Sequence, residues 1–193
     1  SSLAKENDAI NMSQGFPNFE SDPKLIELVS KAMKSGYNQY APMMGSLELR
    51  HAIAHKFQSL YNSTYNPENE IVVTAGATQA IFTIITAFIK QNDEVIIFTP
   101  AYDCYQPSVE LQGGKVLPIQ LLYPTYKIDW KLVESKISSK TKMIIINSPQ
   151  NPSGTIFSMD DMRELDRITN NTDIIILSDE VYEHMIFDGE KHQ

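Results

Sequence analysis

DIIILSDEVYEH, residues Asp173 to His184, joins two unlike halves. Ile174, Ile175, Ile176 and Leu177 form an unbroken apolar run, the composition of a strand covered on both faces. Ser178, Asp179 and Glu180 follow at once, with Tyr182 close behind. A strand end that only meets water can be polar without cost, so a capping or solvated role is the plain alternative for Asp179. The choice depends on whether other strands end the same way.

They do. EVIIFT (Glu94–Thr99), KVLPIQ (Lys115–Gln120) and KMIIIN (Lys142–Asn147) are apolar runs of the same kind, and EIVVTA (Glu70–Ala75) reads as a further strand. Helical patterns separate them at Thr78–Lys90, Tyr102–Gln112, Asp129–Ile137 and Met159–Thr169. Two earlier helices are predicted. One runs from about Pro23 to Ser35 with Leu25, Ile26, Leu28, Val29 and Met33 on one broad face. The other runs from about Ser46 to Tyr61 with Leu47, Ala54 and Phe57 inward. Residues 1–20 lack clear periodicity and carry a turn signal at Gly15, Phe16 and Pro17. Apolar strands alternating with helices predict an α/β fold: a mostly parallel sheet with helices on both faces, in three α/β/α layers. The alternation is still in progress near Gln193, which points to the first part of a longer protein.

The 193 residues carry 24 acidic and 16 basic side chains, a net charge of −8. No basic stripe is available to neutralise a nucleic-acid backbone, so no nucleic-acid partner is expected. Ala80–Ile89, the longest nearly apolar stretch, is too short to span a bilayer, and no membrane partner is expected. Cys104 is the single cysteine, which rules out an intrachain disulfide. With no basic-then-apolar order at the amino end, a cytoplasmic location is expected.

In an open parallel sheet, ligands bind beyond the carboxyl ends of the strands. After Val72 and Val73 comes TAGAT, Thr74–Thr78, opening a helix whose free N–H groups suit an anion, with Gly76 allowing close approach. Neither G-x-G-x-x-G nor G-x-x-x-x-G-K-[ST] is present, which weakens a dinucleotide or P-loop reading. After Phe98 comes TPAY with Tyr102; after Ile146 comes NSPQNPSG, Asn147–Gly154, with Asn151; after Leu177 come Asp179 and Tyr182. Alone, each has a commoner explanation: a plain turn at Gly76, core packing for Tyr102, an ordinary turn Asn at 151. Together, at four successive strand ends, they predict one ligand site.

AGATQA, PAYDCY, NSPQNPSG and LSDEVYEH, with SQGFPNFE in front and NQYAPMMGSLELR between, resemble the fold-type I aminotransferases that use pyridoxal 5′-phosphate (PLP). The resemblance runs from Asn11 to His192, and SQGFPNF and AYDCY look most like the methionine aminotransferase and kynurenine–oxoglutarate transaminase branch. It implies residues 1–20 as a segment of a small domain and 21–193 as the first part of a large PLP-binding domain. It implies that Asp179 pairs with the pyridine nitrogen and keeps it protonated, while Asn151 and Tyr182 hydrogen-bond the ring's phenolate oxygen. Tyr102 would stack on the ring, and the N–H groups of Ala77 and Thr78 would hold the phosphate. Tyr40 would reach the phosphate in a partner subunit, which implies a homodimer. Gly15, with Asn151, would line the substrate.

The implied reaction moves an amino group from methionine, an aromatic residue or a glutamine-like donor to a 2-oxo acid. β-Elimination from cysteine conjugates and a non-catalytic ligand-binding module are the alternatives. In the family, the Schiff-base lysine and the arginine that grips the substrate carboxylate lie beyond the last motif here; Lys191 fits neither pattern. Weaker features read blandly. His51 and His55, with zinc-like spacing, lack a third ligand and predict an exposed stripe, so no metal is expected. Glu180 and Glu183 read as solvated or capping charges, His184 as packing at most, and Cys104 as an inert small hydrophobe.

Overall fold

Val95 and Ile97 face one side of a strand and Ile96 and Phe98 the other, so a single apolar run feeds two cores. The computed structural model describes residues 1–12, 15, 17 and 19–193. In chain order its elements are α1 (Ser2–Glu6), α2 (Pro23–Lys34), α3 (Leu47–Tyr61), α4 (Ala77–Phe88), β1 (Glu94–Thr99), α5 (Tyr105–Leu111), β2 (Lys115–Gln120), α6 (Trp130–Lys136), β3 (Thr141–Asn147), α7 (Met159–Thr169) and β4 (Ile175–Asp179). The strands form a parallel four-stranded sheet in the order β2-β1-β3-β4.

That order explains which face each helix covers. The step from β1 to β2 moves one way across the sheet, and the steps to β3 and β4 move the other way. Right-handed crossovers then put α5 on one face and α6 and α7 on the opposite one. The cores agree. Ile81, Ile85, Tyr105 and Val109 of α4 and α5 pack with Val95, Ile97, Met143, Ile145 and Leu177. Val133 of α6 and Leu165 and Ile168 of α7 pack with Ile96, Phe98, Ile144 and Ile146. Each buried isoleucine removes enough apolar surface from water to contribute about 1.5–3 kcal/mol. The predicted three-layer α/β/α architecture is present.

Local chemistry sets the helix ends. Asp22 accepts from the Lys24 N–H at 2.7 Å, with Pro23 at the first helical position. Ser158 and Asp161 form a reciprocal capping box at the start of α7.

Three expectations are corrected. Residues 71–74 form no strand: the Val73 N–H donates to the Met44 carbonyl at 3.0 Å, and no strand lies alongside among the described residues. The apolar face of α2 is left uncovered. Leu25, Ile26, Leu28, Val29 and Met33 are 52–58 % exposed, because no described element packs over them. The helix predicted from Tyr102 begins at Tyr105, which leaves Tyr102 in the loop after β1. Residues 1–20, read as aperiodic, include the single helical turn α1.

Candidate active site

The strand order reverses between β1 and β3, and loops leaving those two strands diverge around a crevice. Asn147, the last residue of β3, is in register with Asp179, the last of β4. Its side chain donates to the Asp179 carbonyl at 2.9 Å and accepts from the Asn151 N–H at 2.7 Å. The loop that carries Asn151 is thereby fixed to the strand that carries Asp179. Gln150 extends the tie. Its amide donates to the Pro100 carbonyl in the loop that bears Tyr102 and accepts from the Ser153 N–H. Asn147 and Gln150 are both buried, so these bonds face little competition from water.

Asp179 is only 8 % exposed, a carboxylate carried into an apolar layer. One carboxylate oxygen, Oδ2, accepts from the Tyr105 hydroxyl at 2.6 Å, and the other, Oδ1, accepts from the Val181 N–H at 3.2 Å. Burial holds the Tyr105 phenol far above its ordinary range, and the bond to Asp179 and its charge add to the shift. Tyr105 is therefore a neutral donor. Burial also pushes the Cys104 thiol up, helped by Asp103 and Asp179, in keeping with the expected inert role.

Across the crevice, α4 begins at Gly76, whose φ of 86° and ψ of 166° belong to backbone that side-chain-bearing residues rarely adopt. No side chain caps this end, so the first-turn N–H groups of Ala77 and Thr78 stand at the positive end of the helix dipole.

These parts enclose one cleft of about 200 Å³. Of the sequence-derived residues, Ala77, Thr78, Tyr102, Asn151, Asp179 and Tyr182 line it; Ile81, Asn147 and Val181 complete the wall. Tyr102 is partly exposed and lies edge-on to Tyr105, ring centroids 6.0 Å apart. Tyr40, wholly exposed, does not line the cleft, nor does Gly15. Sequence reasoning passed over Tyr105 and Asn147, although both stand inside the quoted motifs PAYDCY and NSPQNPSG.

Glu183 is a further correction. It is not a solvated charge: it pairs with Lys56 and accepts from the Tyr61 hydroxyl at 2.6 Å, tying the segment after Tyr182 to α3. Burial opposes its ionisation, but Lys56 and Tyr61 win and hold its carboxyl below the usual range, while the Tyr61 phenol is pushed up to about 12 by burial and by Glu183. His184 is mostly exposed, His51 and His55 are exposed, and Glu180 contacts His192 at 3.0 Å. Among the described residues, no group of three His, Cys, Asp or Glu could hold a metal ion.

Residues 7–193 match the family described as aminotransferase class I and II. The chain belongs to that family. It is 42 % identical over 192 residues to methionine aminotransferase of Escherichia coli, covering 100 % of this chain and 50 % of the relative. Kynurenine–oxoglutarate transaminase 3 of Homo sapiens is 36 % identical, with 98 % of this chain and 44 % of the relative covered. A crystal structure of an Escherichia coli protein with methionine aminotransferase function superposes with a TM-score of 0.97 at 41 % identity, over 100 % of this chain and 51 % of that one. N-succinyldiaminopimelate aminotransferase of Mycobacterium tuberculosis gives a TM-score of 0.94 at 34 % identity, over 99 % of this chain and 50 % of that one. The chain thus spans about half the length of these aminotransferases. The chain shares the α/β fold of these aminotransferases.

Proposed function

We propose that this chain supplies part of the active site of a PLP-dependent aminotransferase that moves an amino group from a methionine, aromatic or glutamine-like amino acid to a 2-oxo acid. One observation carries the reading: a single cleft has a positive end at the uncapped start of α4 and a buried negative end at Asp179. PLP is a flat ring with a phosphate on one side and a nitrogen that can hold a proton. The residues present fit it. Ala77 and Thr78 offer N–H groups to the phosphate, Asp179 a carboxylate to the protonated nitrogen, and Tyr102 an aromatic face. Asn151 and Tyr182 supply donors for the ring's phenolate oxygen.

When bound, PLP supplies a sink for the electron pair left at the substrate Cα. Asp179 serves that chemistry by favouring the charged ring nitrogen through a direct ion pair in a poorly hydrated site. Asn147 and Gln150 keep the donor loops from drifting. Asn151 and Gly15 are assigned to the substrate side. The lysine that joins PLP and the arginine that binds the substrate carboxylate match no residue of this chain.

The names of the relatives support methionine and kynurenine-like donors. The sheet and cleft fall within residues 21–193, in keeping with a large-domain role there and a small-domain role for 1–20. A lone cysteine is in keeping with the cytoplasm. Among the described residues, no helix is long and apolar enough to cross a membrane.

The direct test is to supply the full-length protein with PLP, methionine, phenylalanine or glutamine, and a 2-oxo acid, and to follow the new amino acid. Its formation is expected. Ammonia and pyruvate released from a cysteine conjugate without an acceptor would make the reaction β-elimination instead, and failure to retain PLP would overturn the reading.

The same reading includes a homodimer in which Tyr40, exposed and off its own cleft, reaches the partner subunit's cofactor. Tyr40→Phe is expected to weaken PLP binding by about tenfold, the loss of one hydrogen bond to a charged group. Equal affinity in the variant and the parent protein, measured by equilibrium titration, would remove the cross-subunit role.

A further inference from the structure

We infer that Tyr105 is a positioning residue whose hydroxyl and ring set the two groups, Asp179 and Tyr102, that face the cofactor. The inference rests on the proposed PLP site. Its basis is geometric. Tyr105 stands in the first turn of α5, 4 % exposed, packed in the core beside Val109, Ile145 and Leu177. A ring so enclosed has little room to turn. Its hydroxyl reaches Asp179 Oδ2 at 2.6 Å, and its ring meets that of Tyr102 at 6.0 Å and 69°.

A carboxylate has room for about four hydrogen bonds. Tyr105 and the Val181 N–H take one on each oxygen, which fixes the plane of the group and leaves acceptor capacity for a ligand. A short bond from a neutral phenol to an anion is a strong one. Remove the hydroxyl, and a buried anion loses its shortest donor. Asp179 then becomes a weaker counter-ion, because its plane is no longer held toward the ring nitrogen.

The titratable groups around the pair are few. Tyr102, Asp103 and Cys104 lie on the loop into α5, and Tyr182 lies in the turn after β4. To the cleft, α4 and β3 present Ala77, Thr78, Ile81 and Asn147, none of which titrates in the working range. A change on removing the Tyr105 hydroxyl therefore reports on Asp179.

The experiment uses full-length protein loaded with PLP labelled with ¹⁵N in the ring, whose chemical shift reads the proton on that nitrogen directly. In the parent protein the nitrogen should be protonated through neutral pH. In Tyr105→Phe, which keeps the ring and its contact with Tyr102, the pH of deprotonation is expected to fall by about one to two units. In an Asp179→Asn background, Tyr105→Phe should move it no further, because the hydroxyl acts only through the carboxylate. A merely structural role would alter melting temperature and leave both titrations unmoved. An unshifted Tyr105→Phe titration overturns the inference while leaving the PLP site intact. An unprotonated nitrogen in the parent protein overturns the PLP reading itself.

Discussion

Asp179→Ala in the full-length protein is expected to leave PLP bound and to lower turnover by a factor of about 10²–10⁴. Breaking a buried ion pair by removing one partner costs about 3–5 kcal/mol, and each tenfold in rate corresponds to about 1.36 kcal/mol. Binding should survive because the other contacts stay in place. The start of α4, the ring of Tyr102 and the side chains of Asn151 and Tyr182 all line the cleft independently of the carboxylate. The fold pays separately. The Tyr105 hydroxyl, a buried donor, loses its acceptor at about 1–3 kcal/mol, and the Val181 N–H loses its own partner. Asp179→Asn keeps the size and an acceptor oxygen but not the charge, so it isolates the electrostatic part. PLP titration and single-turnover rates on both variants check the claim. Near-normal turnover in Asp179→Ala would show that the carboxylate does not serve the ring.

The layers of this fold were legible because strands covered on both faces need apolar residues at every position, and that is a local property. Ile144, Ile145 and Ile146 announce β3 without reference to anything else in the chain. The convergence of site residues was legible for a related reason: parallel strands all deliver their following loops to one edge. What stayed hidden depends on partners. Ile71, Val72 and Val73 have strand composition, but a strand exists only beside another, and here none is alongside among the described residues. The face of α2 shows that a helix suits an apolar neighbour without saying which one. Glu183 looked solvated because its partners, Lys56 and Tyr61, lie far back in the chain on α3.

The site shows the same division. Asp179, Asn151 and Tyr182 stand out only together, because they follow strands that deliver their loops to one sheet edge. Tyr105 does not, since a tyrosine opening an amphipathic helix is ordinary core material. Only its 2.6 Å bond to Asp179, across the sheet edge, marks it as part of the site. Asn147 was overlooked beside Asn151, although the backbone pairing with Asp179 makes it the residue that joins the two loops.

Ile144→Ala is expected to destabilise the protein by about 2–5 kcal/mol, a large part of the 5–15 kcal/mol that holds a typical domain folded. Ile144 is fully buried in the middle of β3, in register with Ile96 on one side and Ile176 on the other. Its side chain belongs to the layer packed with Val133 and Leu165, while its neighbour Ile145 belongs to the opposite layer with Ile85 and Val109. This gives a sharper measurement than the single loss. Leu165→Ala combined with Ile144→Ala removes two members of one cluster, so the losses should couple by about 0.5–3 kcal/mol. Leu165→Ala combined with Ile145→Ala removes one member from each side of the sheet, and those losses should add to within about 0.5 kcal/mol. Ile→Val, costing about 0.5–1.5 kcal/mol, replaces Ile→Ala if a double variant is too unstable to titrate. Urea unfolding of the four-member cycles supplies the numbers. Equal coupling in both cycles would mean that the sheet does not separate two independent cores, and the alternation from Ile144 to Ile145 would lose its structural meaning.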